Sequence, residues 1–203
     1  MKDLFGNEII EKKNGSNKVF KTIGASNHCK DSREIADFYA TSPAAVEELL
    51  NVLKFSKTIL EPCVGMGHIA YVLKENGYKV IAQDVIDRGY PETTIKDFLT
   101  QEKNSYDIIT NPPYGLGKEF VEHALSISPE GTKVAMFFKL TFLESKSRKE
   151  LFEKYPLKTL YVFSQRQICA KNGDFDSIQS TAIAYGWYVW EKGYTGEPVI
   201  KWI

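Results

Sequence analysis

Apolar and polar positions come in blocks along this chain, and the period changes from block to block. Val46, Leu49, Leu50 and Leu53 recur at helical spacing, which makes one stripe of an amphipathic helix. Ser42 followed by Pro43 supplies a cap and a first helical position, so a helix is predicted from Pro43 to about Leu53. Thr58 to Cys63 is a β-like run. Ile69 to Asn76 reads as a helix stopped by Gly77. Lys79 to Gln83 predicts a second strand ending at Asp84, and Thr94 to Ile95 a short third. Tyr106 to Ile109 suits a buried fourth strand, Lys133 to Phe138 a fifth and Leu157 to Phe163 a sixth. Ala182 to Trp190 is a last, aromatic strand with Gly186 as a bulge or bend. Helices fall between them at Gly117 to Ile127, with Phe120, Val121, Ala124 and Leu125 on one face, and at Lys146 to Lys154. Strands alternating with helices predict an α/β fold around a mostly parallel sheet.

Two stretches lack such a pattern. Residues 1–30 are rich in Lys, Asn, Ser and Gly and read as a mobile arm, leaving 31–203 as the folded domain. Ser164 to Thr181 is a polar linker carrying Arg166, Lys171, Asn172, Gly173 and Asp174. Connections of that length in compact domains are usually functional or disordered.

Composition narrows the function. At 203 residues and 43% apolar the chain can build one full core. Its 26 basic and 26 acidic residues cancel, so no global field draws it onto nucleic acid, and any such contact must come from a local patch. Cys29, Cys63 and Cys169 are far apart and form no CxxC, which speaks against a disulfide framework or a zinc site, and no metal is expected. No stretch is long and apolar enough to span a bilayer and the first residues are not leader-like, so a cytoplasmic location is expected.

The candidate chemistry sits where the fourth strand stops. Asn111, Pro112, Pro113 and Tyr114 follow the apolar run, and prolines cannot continue a central strand. An amide, a rigid backbone and an aromatic ring therefore meet at a strand's carboxyl end, where open α/β sheets bind ligands. The Asn111 side chain and the Pro112 carbonyl can accept hydrogen bonds from an amino group. Tyr114 can lie against a flat ring. Upstream, Glu61 ends the first strand and Gly65-x-Gly67 follows before a helix, the shape of a nucleotide-binding loop. Asp84 ends the second strand, as does a carboxylate that meets ribose hydroxyls. Asp97 can accept from an adenine amino group, and Phe98 can flank the ring.

This order of elements resembles class I S-adenosylmethionine (SAM)-dependent methyltransferases over residues 33 to about 192. Within them it is most similar to the small phage or prophage type of N6-adenine DNA methyltransferase, to which the opening Asp3-Leu4-Phe5-Gly6-Asn7 adds a hint. The resemblance implies a Rossmann-like, mostly parallel seven-stranded sheet with helices on both faces and an antiparallel last strand. It implies that Phe38, Tyr39 and Thr41, with Glu61, Pro62, Gly65 and Gly67, line the methionine part of SAM. Asp84 and the adjacent Val85 would serve the ribose end, Asp97 and Phe98 the adenine, and Asn111 would border both cofactor and substrate. Asn111 and the Pro112 carbonyl would then hold an exocyclic amine for direct transfer. Tyr114 would stack on the base and Phe142 is the candidate for its other face. Apart from the resemblance, Lys139, Lys146, Arg148, Lys149, Arg166 and Lys171 cluster after the fourth strand and, if they share that face, could meet phosphates, Lys149 reading better as a solvated surface charge.

One departure from the family bears on specificity. The spare length for target recognition is only the N-terminal arm and the Ser164 to Thr181 linker, so specificity is low or comes from a partner or a second copy. Three rival readings stay open: N6-adenine methylation of RNA, methylation of a protein glutamine amide, and a non-catalytic module that binds SAM or a partner.

Overall fold

The computed structural model describes residues 39–171, 173–175 and 181–203. The arm expected over residues 1–30 lies outside them, as does Phe38. Ten strands are described: β1 (Tyr39–Thr41), β2 (Thr58–Glu61), β3 (Lys79–Asp84), β4 (Thr94–Ile95), β5 (Asp107–Thr110), β6 (Lys133–Lys139), β7 (Thr159–Val162), β8 (Cys169–Lys171), β9 (Tyr185–Glu191) and β10 (Val199–Trp202). The α-helices are α1 (Pro43–Val52), α2 (His68–Glu75), α3 (Gly117–Ile127) and α4 (Lys146–Lys154), and short 3-10 turns cover Phe98–Thr100, Tyr114–Leu116 and Leu140–Leu143.

Eight strands form one sheet in the order β10-β7-β9-β6-β5-β2-β3-β4. Only β9 runs antiparallel, slotted between β6 and β7. The α/β, mostly parallel architecture is as the alternating pattern predicts. The strand count differs, because β10 adds an eighth strand, parallel to β7, at the edge. The antiparallel strand is therefore the last but one in the sheet's chain order. Gly186 is no bulge: its register runs unbroken against both Phe138 and Val162. A Cβ there would lie 2.8 Å from the Tyr161 oxygen and 3.0 Å from Leu140 Cδ2, so the glycine answers a close approach rather than a bend.

Side chains alternate across the sheet, and both faces are covered. On one face α1 and α2 bring Val46, Leu49, Leu50, Ile69 and Leu73 onto Ile59, Ile109, Phe137 and Trp187. On the other, α3 brings Phe120, Val121 and Leu125, and α4 brings Leu151, onto Leu60, Ile108, Met136 and Tyr188. Each such large side chain stabilises the fold by about 1.5–3 kcal/mol when fully buried. Polar anchors set the strand starts. Asp107 is buried and accepts from Ser56 N at 2.7 Å and Lys133 N at 2.8 Å, joining the beginnings of β2, β5 and β6. Trp187 Nε1 donates to the Ala45 oxygen at 2.7 Å and fixes α1 against β9.

The two remaining strands were not foreseen as strands. β1 and β8 pair antiparallel, Tyr39 opposite Lys171 and Thr41 opposite Cys169, and Ser42 N adds a bond to the Ile168 oxygen at 3.3 Å. The polar linker is thus pinned, in part, to the residues just before α1.

Candidate functional site

The carboxyl ends of β2, β3 and β5 lie side by side, and the residues of interest leave the sheet there. After Glu61 the chain turns through two left-handed glycines, Gly65 (φ 55°) and Gly67 (φ 87°). Gly65 N donates to Asp84 Oδ2 at 2.9 Å and Val64 N to the Gln83 oxygen at 2.8 Å, so the end of β3 holds the loop in place. Asp84 Oδ1 accepts from Ile86 N at 3.1 Å. Gly67 has no room for a side chain, since a Cβ would meet Tyr90 Cδ2 at 2.2 Å.

A small crevice opens beside this loop, lined by Tyr39, Ala40, Thr41, Glu61, His68 and Asn111 among others, with about 10 Å³ of free volume. That is space for one water. Two polar atoms in it, Glu61 Oε2 and Thr41 Oγ1, are buried with no hydrogen-bond partner among the described residues. Burial, and then the Asp84 charge, push the Glu61 carboxyl well above its ordinary range. Both atoms lack a partner, and a cationic donor would favour the ionised Glu61 carboxylate while also meeting the Thr41 lone pairs.

Asn111 stands on the other side. Its Nδ2 donates to the Tyr39 oxygen at 2.7 Å and reaches Cys169 Sγ at 3.6 Å. Both contacts engage the amide's donor end, which leaves Oδ1 as the end presented elsewhere. Pro112 is buried and Pro113 exposed. The Tyr114 hydroxyl lies 3.2 Å from Cys169 Sγ. Burial, and then Cys169 and Tyr185, raise the Tyr114 phenol well above its usual value, so the ring stays neutral. Its neighbours are Tyr39, stacked at 5.8 Å between centroids, Tyr185 at 6.4 Å, and Lys139 Nζ at 5.0 Å from the ring centre.

The expected residues divide into three groups. Tyr39, Thr41, Glu61, Gly65, Gly67, Asp84 and Asn111 surround or support the crevice, with buried Pro62 behind Glu61. Val85 and Asp97 lie at the carboxyl ends of β3 and β4, both exposed, and Asp97 Oδ1 caps its own turn by accepting from Leu99 N at 2.9 Å. Two aromatics are corrected. Phe98 is 1% exposed and packs against Phe120 and His123 under α3, so its ring cannot flank a ligand. Phe142 is 4% exposed and stacks face to face on Phe138 at 4.0 Å, so it belongs to the core and not to a base-binding face. Arg166 is exposed and bonds the Ala182 oxygen at 3.0 Å.

Sequence reasoning passed over Cys169 and His68. Cys169 touches both Asn111 and Tyr114; the short apolar run Ile168 to Ala170 inside the polar linker was the available sign. His68 opens α2 directly after Gly67, lines the crevice, and is held below its usual pKa by burial. Among the described residues, no group of three or more His, Cys, Asp or Glu is gathered as a metal site would require. No helix of the described residues is long and apolar enough to cross a membrane.

No family model and no curated protein sequence matches this chain. Solved structures do. A protein from Vibrio vulnificus, assigned as the modification subunit of a type I restriction enzyme, superposes with a TM-score of 0.56 at 15% identity over 85% of this chain and 48% of that one. This chain therefore spans about half of that subunit's length. A protein from Pyrococcus horikoshii assigned as an RNA methyltransferase gives 0.53 at 15% identity, covering 73% of this chain and 81% of that one. One from Agrobacterium tumefaciens assigned as an O-methyltransferase gives 0.57 at 11% identity, covering 79% and 85%. At such identities the likeness is one of fold, the Rossmann-like fold of class I methyltransferases, and the three assignments differ from one another.

Proposed function

We propose that this chain transfers a methyl group from S-adenosylmethionine to the exocyclic N6 amine of adenine in DNA. The observation that carries the reading is the fixed amide of Asn111. With its donor end on Tyr39, its carbonyl end is committed to accept, at a strand terminus beside a glycine loop held by Asp84. The likeness in fold to the restriction-modification subunit supports DNA as the acceptor.

The crevice suits the methionine end of SAM in polarity. Glu61 Oε2 and Thr41 Oγ1, buried without partners, would receive its ammonium group. The exposed Val85 and Asp97 would serve the ribose and adenine end. Bound SAM supplies an electrophilic sulfonium methyl. The free volume is far below a ligand's needs, so side chains lining the crevice would turn aside to admit it.

The adenine amine is a weak nucleophile because its lone pair is delocalised into the ring. Asn111 Oδ1 and the Pro112 carbonyl accept its two N–H bonds, draw charge onto nitrogen and aim it. This is catalysis by orientation and electrostatics, with no covalent enzyme intermediate. Tyr114 offers the flat surface for the base, which reaches it by turning out of the duplex as the Tyr39 ring swings aside while its main-chain oxygen keeps hold of Asn111.

The test is methyl transfer from labelled SAM to unmethylated duplex DNA, ribosomal RNA and whole-cell protein in parallel, each beside Asn111→Ala. Label on DNA as N6-methyladenine, lost in the variant, is the expected result. Label on RNA or protein alone would move the chemistry to another acceptor. No label on any of them would overturn the reading.

A further inference from the structure

The turn Leu140–Leu143 follows Lys139, whose Nζ lies 5.0 Å from the Tyr114 ring centre, and is built with more constraint than a loop needs. Phe142 points inward onto Phe138, with Phe152 and Tyr188 edge-on. Arg148 lies over the Phe142 ring at 4.5 Å and donates Nη1 to the Thr141 oxygen at 3.1 Å and to the Glu144 oxygen at 3.2 Å. From beneath, the Tyr188 hydroxyl bonds the oxygens of Lys139 and Leu140, both at 3.2 Å.

The turn's exit is strained. Ser145 has φ 112°, the only non-glycine with positive φ among the described residues. A strained position persists only when its surroundings over-determine it, and such positions cluster at working sites.

What this scaffold presents is a leucine in solvent. Leu143 is 46% exposed. Leu116, on the neighbouring turn Tyr114–Leu116, is 43% exposed. The two turns are neighbours, since a Cβ on Gly117, the residue after Leu116, would lie 3.0 Å from the Phe142 ring. Single exposed leucines on a surface are ordinary. Two of them on adjoining, fixed turns beside Asn111 and Tyr114 are not explained by packing. Their setting is mixed but net basic: between positions 139 and 154 stand Lys139, Lys146, Arg148, Lys149 and Lys154 against Glu144, Glu150 and Glu153, with Lys149 paired to Glu153 at 3.5 Å.

We propose that Leu143, with Leu116 beside it, is an apolar wedge that enters the base stack and fills the space left by an adenine turned out toward Asn111, while the neighbouring cations meet the phosphates. This rests on the N6-adenine reading and goes beyond it by naming the part that opens the duplex. A rigid apolar side chain can displace a stacked base, and a basic surround holds the backbone against it. The constraint on the turn matters because a mobile leucine would fold back onto the protein instead.

The experiment uses full-length protein and an oligonucleotide bearing a target mapped on unmethylated genomic DNA. Leu143→Ala and Leu116→Ala are assayed on the paired duplex, on the same duplex with an abasic site opposite the target adenine, and on the single strand. Both side chains are exposed, and thermal unfolding checks that the variants are folded. Leu143→Ala is expected to lose about tenfold or more on the paired duplex and less than about twofold where the adenine is unpaired. With 2-aminopurine at the target, the wild type should raise fluorescence and the variant should not. Equal losses on all three substrates, or no loss on the duplex, would overturn the wedge while leaving the N6-adenine reading intact. A wild-type protein that methylates none of the three overturns both.

Discussion

The side-chain nitrogen of Asn111 lies 2.7 Å from the main-chain oxygen of Tyr39, seventy-two positions earlier in the chain. That one bond decides which end of the amide faces away. Asn111→Ala removes the acceptor without touching the glycine loop or Asp84. Turnover is expected to fall about 10²–10³-fold, the scale for deleting one preorganised group at a reacting centre. SAM affinity, measured by calorimetry, should stay within about threefold. Asn111→Asp should also fail, and should in addition set a carboxylate against the Tyr39 oxygen and loosen β1.

Glu61 makes stability depend on pH in a definite sense. Burial and Asp84 raise its carboxyl well above its ordinary value of 4.5 in the folded protein. Protons therefore bind the folded state more tightly than the unfolded one. The associated stability is complete below the unfolded value and is lost as pH rises through the folded value. Glu61→Gln removes that loss. The variant should melt above wild type near neutral pH, by about 2–4 °C, with the gap closing as pH falls toward 4.5. Its SAM affinity should drop about tenfold or more, because a charge-assisted bond is gone. Melts across pH 4.5–8 and a titration with SAM read both effects.

At Gly67 a methyl group meets both a left-handed backbone and the Tyr90 ring. Gly67→Ala should lower stability by about 2–4 kcal/mol, combining backbone strain with overpacking, and should weaken SAM binding with it. Urea unfolding measures the first and calorimetry the second. An alanine variant destabilised by only about 1–2 kcal/mol would leave the backbone strain alone and show that Tyr90 moves aside freely.

Phe142 gives the sharpest contrast between a packing role and a contact role. Phe142→Ala should cost about 3–5 kcal/mol, as for other buried phenylalanines. Phe142→Leu keeps most of the apolar volume and should fold, with KM for DNA changed less than about threefold. A folded Phe142→Leu protein with a large rise in KM on single-stranded as well as duplex DNA would return the ring to the substrate, whereas a rise on the paired duplex alone would point to a loosened Leu140–Leu143 turn.

Much of the fold was legible because both faces of the sheet are covered, so strands read as apolar runs and helices as stripes. The glycine loop, Asp84 and Asn111 were legible too, since each ends a strand and the ends converge. Phe98 and Phe142 were not, because sequence places a ring at a strand end without saying which way it points; each turned inward to fill a face of the core. β1 and β8 escaped because three-residue strands carry no period, and their partner lies across most of the chain. β10 escaped for a related reason. Its residues are exposed on every side, so burial imposes no pattern on them, and only the free edge of β7 selects them.

The place of β9 has a consequence for how the chain is made. Its partners on both edges, β6 and β7, are synthesised before it. A chain growing from a ribosome therefore carries two strands that await a third, with raw backbone edges facing a gap until residues 185–191 emerge. Unpaired edges of that kind recruit strands from other chains. Translation stalled ahead of Tyr185 should leave a sticky nascent protein that calls on chaperones, whereas release beyond Glu191 lets the gap close in a single step.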